Sequence, residues 1–204
     1  MRRFPGVAAF ILAGGASKRM GRDKALLEFG GVPLLVRAAQ LVTPQVTSVA
    51  VVAPEGRYTG LGLRLLADRW PGTGPLGGIA TALCASAENW NLILSCDLPY
   101  LTEEWIGWLI ARALDSPAQA VVPESRRGLE PLAAMYHSGC GELLARAVER
   151  GVRRVRDALN EILFERVPSL EWMSLDPAGT LLENMNTPED YEEATRRLRG
   201  EAAG

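Results

Sequence analysis

The sequence predicts a three-layer, doubly wound α/β fold with a mostly parallel, mixed sheet. Two observations carry that prediction. Short runs rich in Val, Ile and Leu recur along the chain, and longer stretches of helical periodicity separate them. Buried parallel strands need both faces covered, and crossover helices do this. A third observation fixes orientation: glycine and basic residues crowd the loop that leaves the first run, where open parallel sheets bind ligands.

In chain order, the expected strands are VAAFIL from Val7, SVAVVA from Ser48, LRLLA from Leu63, NLILSC from Asn91 and QAVVP from Gln119. The expected helices between them are PLLVRAAQLV from Pro33, GPLGGIATALCASA from Gly74 and TEEWIGWLIARAL from Thr102. The last is the best marked. Thr102 is a natural N-cap, and Glu103 and Glu104 then lie in the positive first turn. The second half is less regular. It offers a strand in PLAAMYH, a helix from Glu142 to Glu149, a basic RRVR at Arg153, a strand near LFERV and a closing helix from about Pro188. Its strand order is left open, and the tail at 200–204 reads as loose.

At 204 residues, with 48% hydrophobic and 23% charged residues, the chain suits one sizeable core. A single domain over 1–204 is therefore expected. A formal net charge of −2 provides no general field for nucleic acid or a membrane surface, so any anion must be held locally. The opening MRRFPGVAAFILA imitates an export signal. Its apolar run is short and leads into SKRMGRDK, so it reads better as the first strand. Three scattered cysteines, Cys84, Cys96 and Cys140, fit neither a disulfide framework nor paired zinc ligands and suit a reducing cytoplasm. His137 is the only histidine, which argues against a Ser-His-Asp triad and a multi-histidine metal centre, and it is expected on the surface.

The loop AGGASKRMGRDKALL holds the first candidate site residues. Gly14 and Gly15 lack a Cβ, so a polyphosphate can approach their backbone N–H groups closely. Arg19 and Lys24 can add charge-assisted hydrogen bonds to phosphate oxygens. A glycine-rich turn with a solvated basic face is the plainer alternative. The loop is neither GxxxxGK[ST] nor GxGxxG. In LILSCDLPYL, Asp97 ends a buried run and can reach the same crevice. One carboxylate with water and phosphate oxygens suffices for magnesium, although Asp97 is also well placed to cap the turn before Pro99. DRWPGTGPLGGI sets Asp68 before a glycine-rich turn whose Gly77 and Gly78 either admit a nucleotide or allow close helix packing.

The stretch from Leu12 to Lys24, LAGG-x-S-x-R-M-G-x-D-K, resembles the signature of the molybdenum cofactor guanylyltransferases, the MobA-type nucleotidyltransferases. Further landmarks follow in order up to Tyr191: GPL-x-G from Gly74, the C-D-x-P of SCDLPYL, the G-x-R-R-V of GVRRVRD and NMNTPEDY from Asn184. The resemblance implies a Rossmann-like, nucleotide-diphospho-sugar transferase-like fold and transfer of GMP from GTP to the phosphate of molybdenum-molybdopterin. It further implies that Leu12, Ala13, Gly14, Gly15, Lys24 and Asp68 contact the nucleotide and that Asp97 holds Mg²⁺. Catalysis would rest on Arg19, Lys24 and Asp97. Arg153 or Arg154 would hold the pterin's phosphate, with Asn184 and Asn186 on the pterin side. Residues 1–115 would then be the nucleotide half and 116–199 the pterin half. The partners implied are GTP, molybdenum-molybdopterin and transiently a molybdenum-insertion protein or molybdoenzyme, with neither nucleic acid nor membrane.

The chain departs from that pattern at Ala53 and Pro54, where better-known members have a nucleotide-contacting asparagine, and at Glu130, where some have His or Gln before proline. The rival readings are a molybdopterin cytidylyltransferase, a sugar-nucleotide pyrophosphorylase and a non-catalytic nucleotide-binding module.

Overall fold

The computed structural model describes residues 2–14 and 23–198. Gly15, Arg19 and the tail at 200–204 lie outside the described residues. Seven strands form the path of the main sheet: β1 (Val7–Leu12), β2 (Ser48–Ala53), β3 (Leu65–Ala67), β4 (Trp90–Ser95), β5 (Ala120–Ser125), β6 (Ala133–His137) and β7 (Phe164–Pro168). Their spatial order is β7-β5-β6-β4-β1-β2-β3, and the two-residue strand Gly128–Leu129 pairs with β5 off this path. All pairings along the path are parallel except those of β6, which runs against both β4 and β5. The sheet is thus mixed and mostly parallel, as the apolar runs predict.

Residue alternation builds the layers. Val7, Ala9 and Ile11 of β1 face α1 (Leu34–Val42) and α3 (Glu103–Leu114) in one core, which also takes Trp105, Ile106 and Leu109. Ala8 and Phe10 face the other core, with α2 (Pro75–Ala85), α4 (Gly141–Glu149) and α5 (Val155–Leu159). Period-two alternation along a strand buried on both faces produces this division. Thr102 caps α3 as the sequence predicts, its hydroxyl accepting from the Trp105 N–H at 3.2 Å. A small core of Phe29, Leu34, Met185 and Ala194 seats α6 (Pro188–Leu198).

Two expectations change. LRLLA is a strand only over Leu65–Ala67, because the chain enters it through Gly62 in the left-handed region at φ 68°. His137 is half-buried rather than superficial: its ring meets Trp90 edge-on at 5.4 Å, and its Nδ1 accepts from the Gly139 N–H at 3.1 Å.

The topology places the site. From β1 the chain moves outward to β2 and β3, then returns through α2 to β4 on β1's other side. The reversal lies between β1 and β4, and ligands of doubly wound sheets bind beyond the carboxyl ends of the strands at such a point.

Candidate active site

β1 and β4 are parallel, and Leu12 pairs with Ser95. Two residues beyond that pair, the chain reaches Gly14 on one side and Asp97 on the other. Leu12, Ala13, Gly14, Pro54 and Asp68 border a cleft of about 400 Å³. Not all of their backbone groups face a ligand: the Ala13 N–H is spent on the Val52 carbonyl at 2.9 Å. Gly14 has φ 118°, and a Cβ there would lie 2.4 Å from Pro54 Cδ. Only glycine fits that bend. The Ala53-Pro54 departure therefore accounts for Gly14 independently of any phosphate.

The Asp97 carboxylate accepts from Ser95 Oγ at 2.5 Å and pairs with Lys24 Nζ at 3.4 Å. It makes no hydrogen bond to the turn at Pro99 among the described residues, so turn capping is not its role. Lys24 Nζ also donates to Asn186 Oδ1 at 2.6 Å, and the Met185 N–H donates to the Asp97 carbonyl at 3.0 Å. Residues far apart in sequence thus close on one point. Asn186, expected on the pterin side, touches Lys24 beside Asp97. Beside them the Cys96 thiol is pushed up to about 12 by burial and, secondarily, by the Asp97 charge, so it stays protonated.

The sequence does not single out Arg57, Tyr58 or Ser95, and shows Asp23 only as part of the loop motif. Asp23 caps the short 3-10 turn Lys24–Leu26 by accepting from the Ala25 N–H at 3.1 Å. The same carboxylate pairs with Arg57 and accepts from the Tyr58 hydroxyl at 2.9 Å. Among the described residues, Tyr58 is the non-glycine residue at positive φ, 62°, which is costly backbone held by its surroundings. Burial, then the Asp23 hydrogen bond and charge, raise its hydroxyl pKa. An Asp before a helical turn is a legible cap signal; the partners from beyond β2 are not.

Asp68 locks its own turn, accepting from the Trp70 N–H at 3.0 Å and the Thr81 hydroxyl at 3.1 Å, and still borders the cleft. Of its two glycines, Gly77 serves packing, since a Cβ would fall 2.9 Å from the Trp70 carbonyl oxygen, and Gly78 packs on Leu12.

A second cleft, also about 400 Å³, shares Pro75, Ser95 and Leu132 with the first. Arg153, Arg154 and Asn184 border it. The structure separates the two arginines. Arg153 donates to the Val148 and Val152 carbonyls, both at 3.0 Å, and so closes the end of α4. Arg154, also exposed, accepts from the Asp157 N–H through its carbonyl at 3.1 Å, while its guanidinium makes no hydrogen bond or ion pair among the described residues. Asn184 Oδ1 is 3.3 Å from Arg127 Nη2.

The sequence profile of the MobA-like NTP transferase domain matches residues 9–162. The chain belongs to that family. A protein of Pelotomaculum thermopropionicum named "Probable molybdenum cofactor guanylyltransferase" is 33% identical over 190 residues, spanning 90% of this chain and 89% of the relative. One of the same name from Deinococcus radiodurans is 34% identical over 194 residues, spanning 94% and 95%. Among solved structures, the molybdopterin-guanine dinucleotide biosynthesis protein A of Archaeoglobus fulgidus superposes with a TM-score of 0.85 at 22% identity, covering 95% of this chain and 99% of the other. A 2-C-methyl-D-erythritol 4-phosphate cytidylyltransferase from Thermus thermophilus reaches 0.66 at 16% identity, covering 98% and 100%. These two likenesses establish the Rossmann-like nucleotidyltransferase fold.

In this MobA-like transferase the donor set suits magnesium and not zinc. No group of three or more His, Cys, Asp or Glu that could hold a metal occurs among the described residues. Asp97 offers one carboxylate, its side chain 13% exposed. Mg²⁺ takes one or two carboxylates and completes its shell with water and phosphate oxygens, whereas zinc sites need three or four protein ligands. No helix among the described residues is long and apolar enough to cross a membrane.

Proposed function

We propose that this chain transfers GMP from GTP to the phosphate of molybdenum-bearing molybdopterin, giving the guanine dinucleotide form and pyrophosphate. The observation that carries the reading is the pair of clefts that share a wall of Pro75, Ser95 and Leu132, where Ser95 donates to the Asp97 carboxylate that pairs with Lys24. One suits a nucleotide beside Gly14, and the other suits a phosphorylated acceptor beside Arg154. The names of the family relatives support the choice of acceptor and of guanine.

A phosphate oxygen of the pterin attacks the α-phosphorus of GTP. The bond from that phosphorus to the bridging oxygen breaks, and pyrophosphate leaves with the bonding electrons. A phosphate monoester has its second pKa near about 6, so the nucleophile is ionised at neutral pH and needs no protein base. What remains is alignment and neutralisation of charge. Lys24 offsets charge on the nucleotide phosphates, Gly14 lets them approach the backbone, and Arg154 holds the acceptor phosphate. Arg19 joins them on its sequence position alone. Magnesium held by Asp97 would supply further neutralisation at phosphate oxygens. Residues 1–115 serve the nucleotide and 116–199 mainly the pterin, with Asn186 reaching back to Lys24. A cytoplasmic setting and transient delivery to a molybdenum-insertion protein or molybdoenzyme complete the reading.

Pyrophosphate release tests it, with molybdopterin and Mg²⁺ present and GTP or CTP as donor. Release is expected with GTP. Equal or faster release with CTP overturns the guanylyl assignment, and GTP binding without release points to a non-catalytic module.

A further inference from the structure

The second cleft contains a carboxylate that the mechanism above does not use. Glu130 borders the cleft together with Leu98, Leu129, Pro131, Leu132 and Val155. Its side chain is only 18% exposed. It accepts from the Ser125 hydroxyl at 2.6 Å and lies 3.6 Å from the Arg127 guanidinium, and both contacts fall on Oε1. That leaves Oε2, and the second lone pair of Oε1, for a ligand. The backbone is pinned on both sides, the Glu130 N–H donating to the Pro123 carbonyl at 2.8 Å and the Ala133 N–H to the Glu130 carbonyl at 3.0 Å. A carboxylate fixed in an apolar slot is arranged for recognition, because binding spends little on ordering it.

We infer that Glu130 is a specificity residue that accepts hydrogen bonds from the amino and ring N–H donors of a 2-amino-4-oxopyrimidine edge, and that this edge belongs to the pterin. This rests on the guanylyl-transfer reading above. Adjacent N–H donors in one plane match a carboxylate, and the ionised acceptor strengthens both bonds. The apolar walls suit a flat heterocycle, and Arg154 on the same cleft suits its phosphate. Guanine carries the same donor edge. Glu130, however, borders the cleft of Arg154 and is not among the residues bordering the cleft of Gly14.

Two measurements test this. In turnover, Glu130→Gln is expected to raise KM for molybdopterin by about tenfold or more while KM for GTP stays within about twofold. A rise confined to GTP, an equal rise in both, or no rise in either overturns the assignment. In binding without turnover, the probes are 6-hydroxymethylpterin and its lumazine counterpart, which carries oxygen in place of the 2-amino group. The wild-type protein is expected to quench and hold the pterin at least about tenfold more tightly, because a carbonyl facing Glu130 is repelled. Glu130→Gln is expected to lose that preference, and Glu130→Asp to keep part of it. Wild-type indifference to the two rings, or an undiminished preference in Glu130→Gln, overturns the inference. Absence of GMP transfer by the wild-type protein would refute the functional reading, while the binding comparison would still judge Glu130.

Discussion

Lys24 joins three parts of the chain at one ammonium group. Its own turn is capped by Asp23, and its Nζ reaches Asp97 after β4 and Asn186 before α6. A cation held this way is preorganised for phosphate oxygens and needs no search when substrate arrives. Lys24→Ala is expected to lower kcat/KM by about a hundredfold. Asp97→Asn keeps the side chain's shape but removes its charge. It is expected to cost roughly a hundred- to a thousandfold in kcat with the melting midpoint within about 2 °C, and activity within a few fold of wild type would refute the magnesium assignment. The two neighbouring arginines should differ in kind. Arg154→Ala is expected to raise KM for molybdopterin without loss of stability. Arg153→Ala removes a guanidinium from the end of α4 and is expected to cost about 1 kcal/mol in denaturant unfolding, with KM nearly unchanged. If both variants shifted KM equally, the division of labour would be wrong.

Among the elements, α6 matters most to the site, because its first turn follows directly on Asn184 and Asn186. Asp190 accepts from the Asn186 N–H at 2.7 Å and the Thr187 N–H at 2.9 Å, while the Thr187 hydroxyl accepts from the Asp190 N–H at 3.1 Å. This is a reciprocal cap. The Asn186 N–H above all, then Thr187, holds the Asp190 carboxyl below its ordinary 3.8, against a smaller opposing effect of burial. A carboxyl depressed in the folded state contributes stability that is fully present above its unfolded pKa and lost as pH falls through the folded one. Helix α6 is therefore expected to loosen only at pH below about 4, and Asp190→Asn to loosen it at neutral pH. Amide exchange at Tyr191 and Ala194 reads both effects. Equal protection in the variant and wild type at pH 7 would dismiss the cap.

For the whole molecule, the proposed division into a nucleotide half and a pterin half does not divide the core, because residues of both stretches share the same two cores. One core runs from Phe4 and Val7 through Trp105 to Val121, Met135, Val167 and Trp172, and the other joins Phe10 and Ile79 to Tyr136, Leu144 and Leu159. Neither half can close its apolar faces alone. Denaturant unfolding is expected to be one transition, with far-UV circular dichroism and tryptophan fluorescence coinciding. Separated midpoints would indicate two independent domains.

The sequence alone determined the sheet strands, since VAAFIL, SVAVVA and their successors are buried by alternation, which is a local property. It also determined the cap at Thr102 and the placement of Asp97 just past a strand end, because residue type and spacing fix these within a few positions. Tertiary structure decided the rest. The pairing of Leu12 with Ser95, which aligns Gly14 with Asp97, follows from strand order, and no local pattern encodes it. The same is true of Asn186 beside Lys24, Tyr58 on Asp23 and the separate duties of Arg153 and Arg154. Each depends on where remote backbone carbonyls, hydroxyls and charges arrive once the two cores have closed.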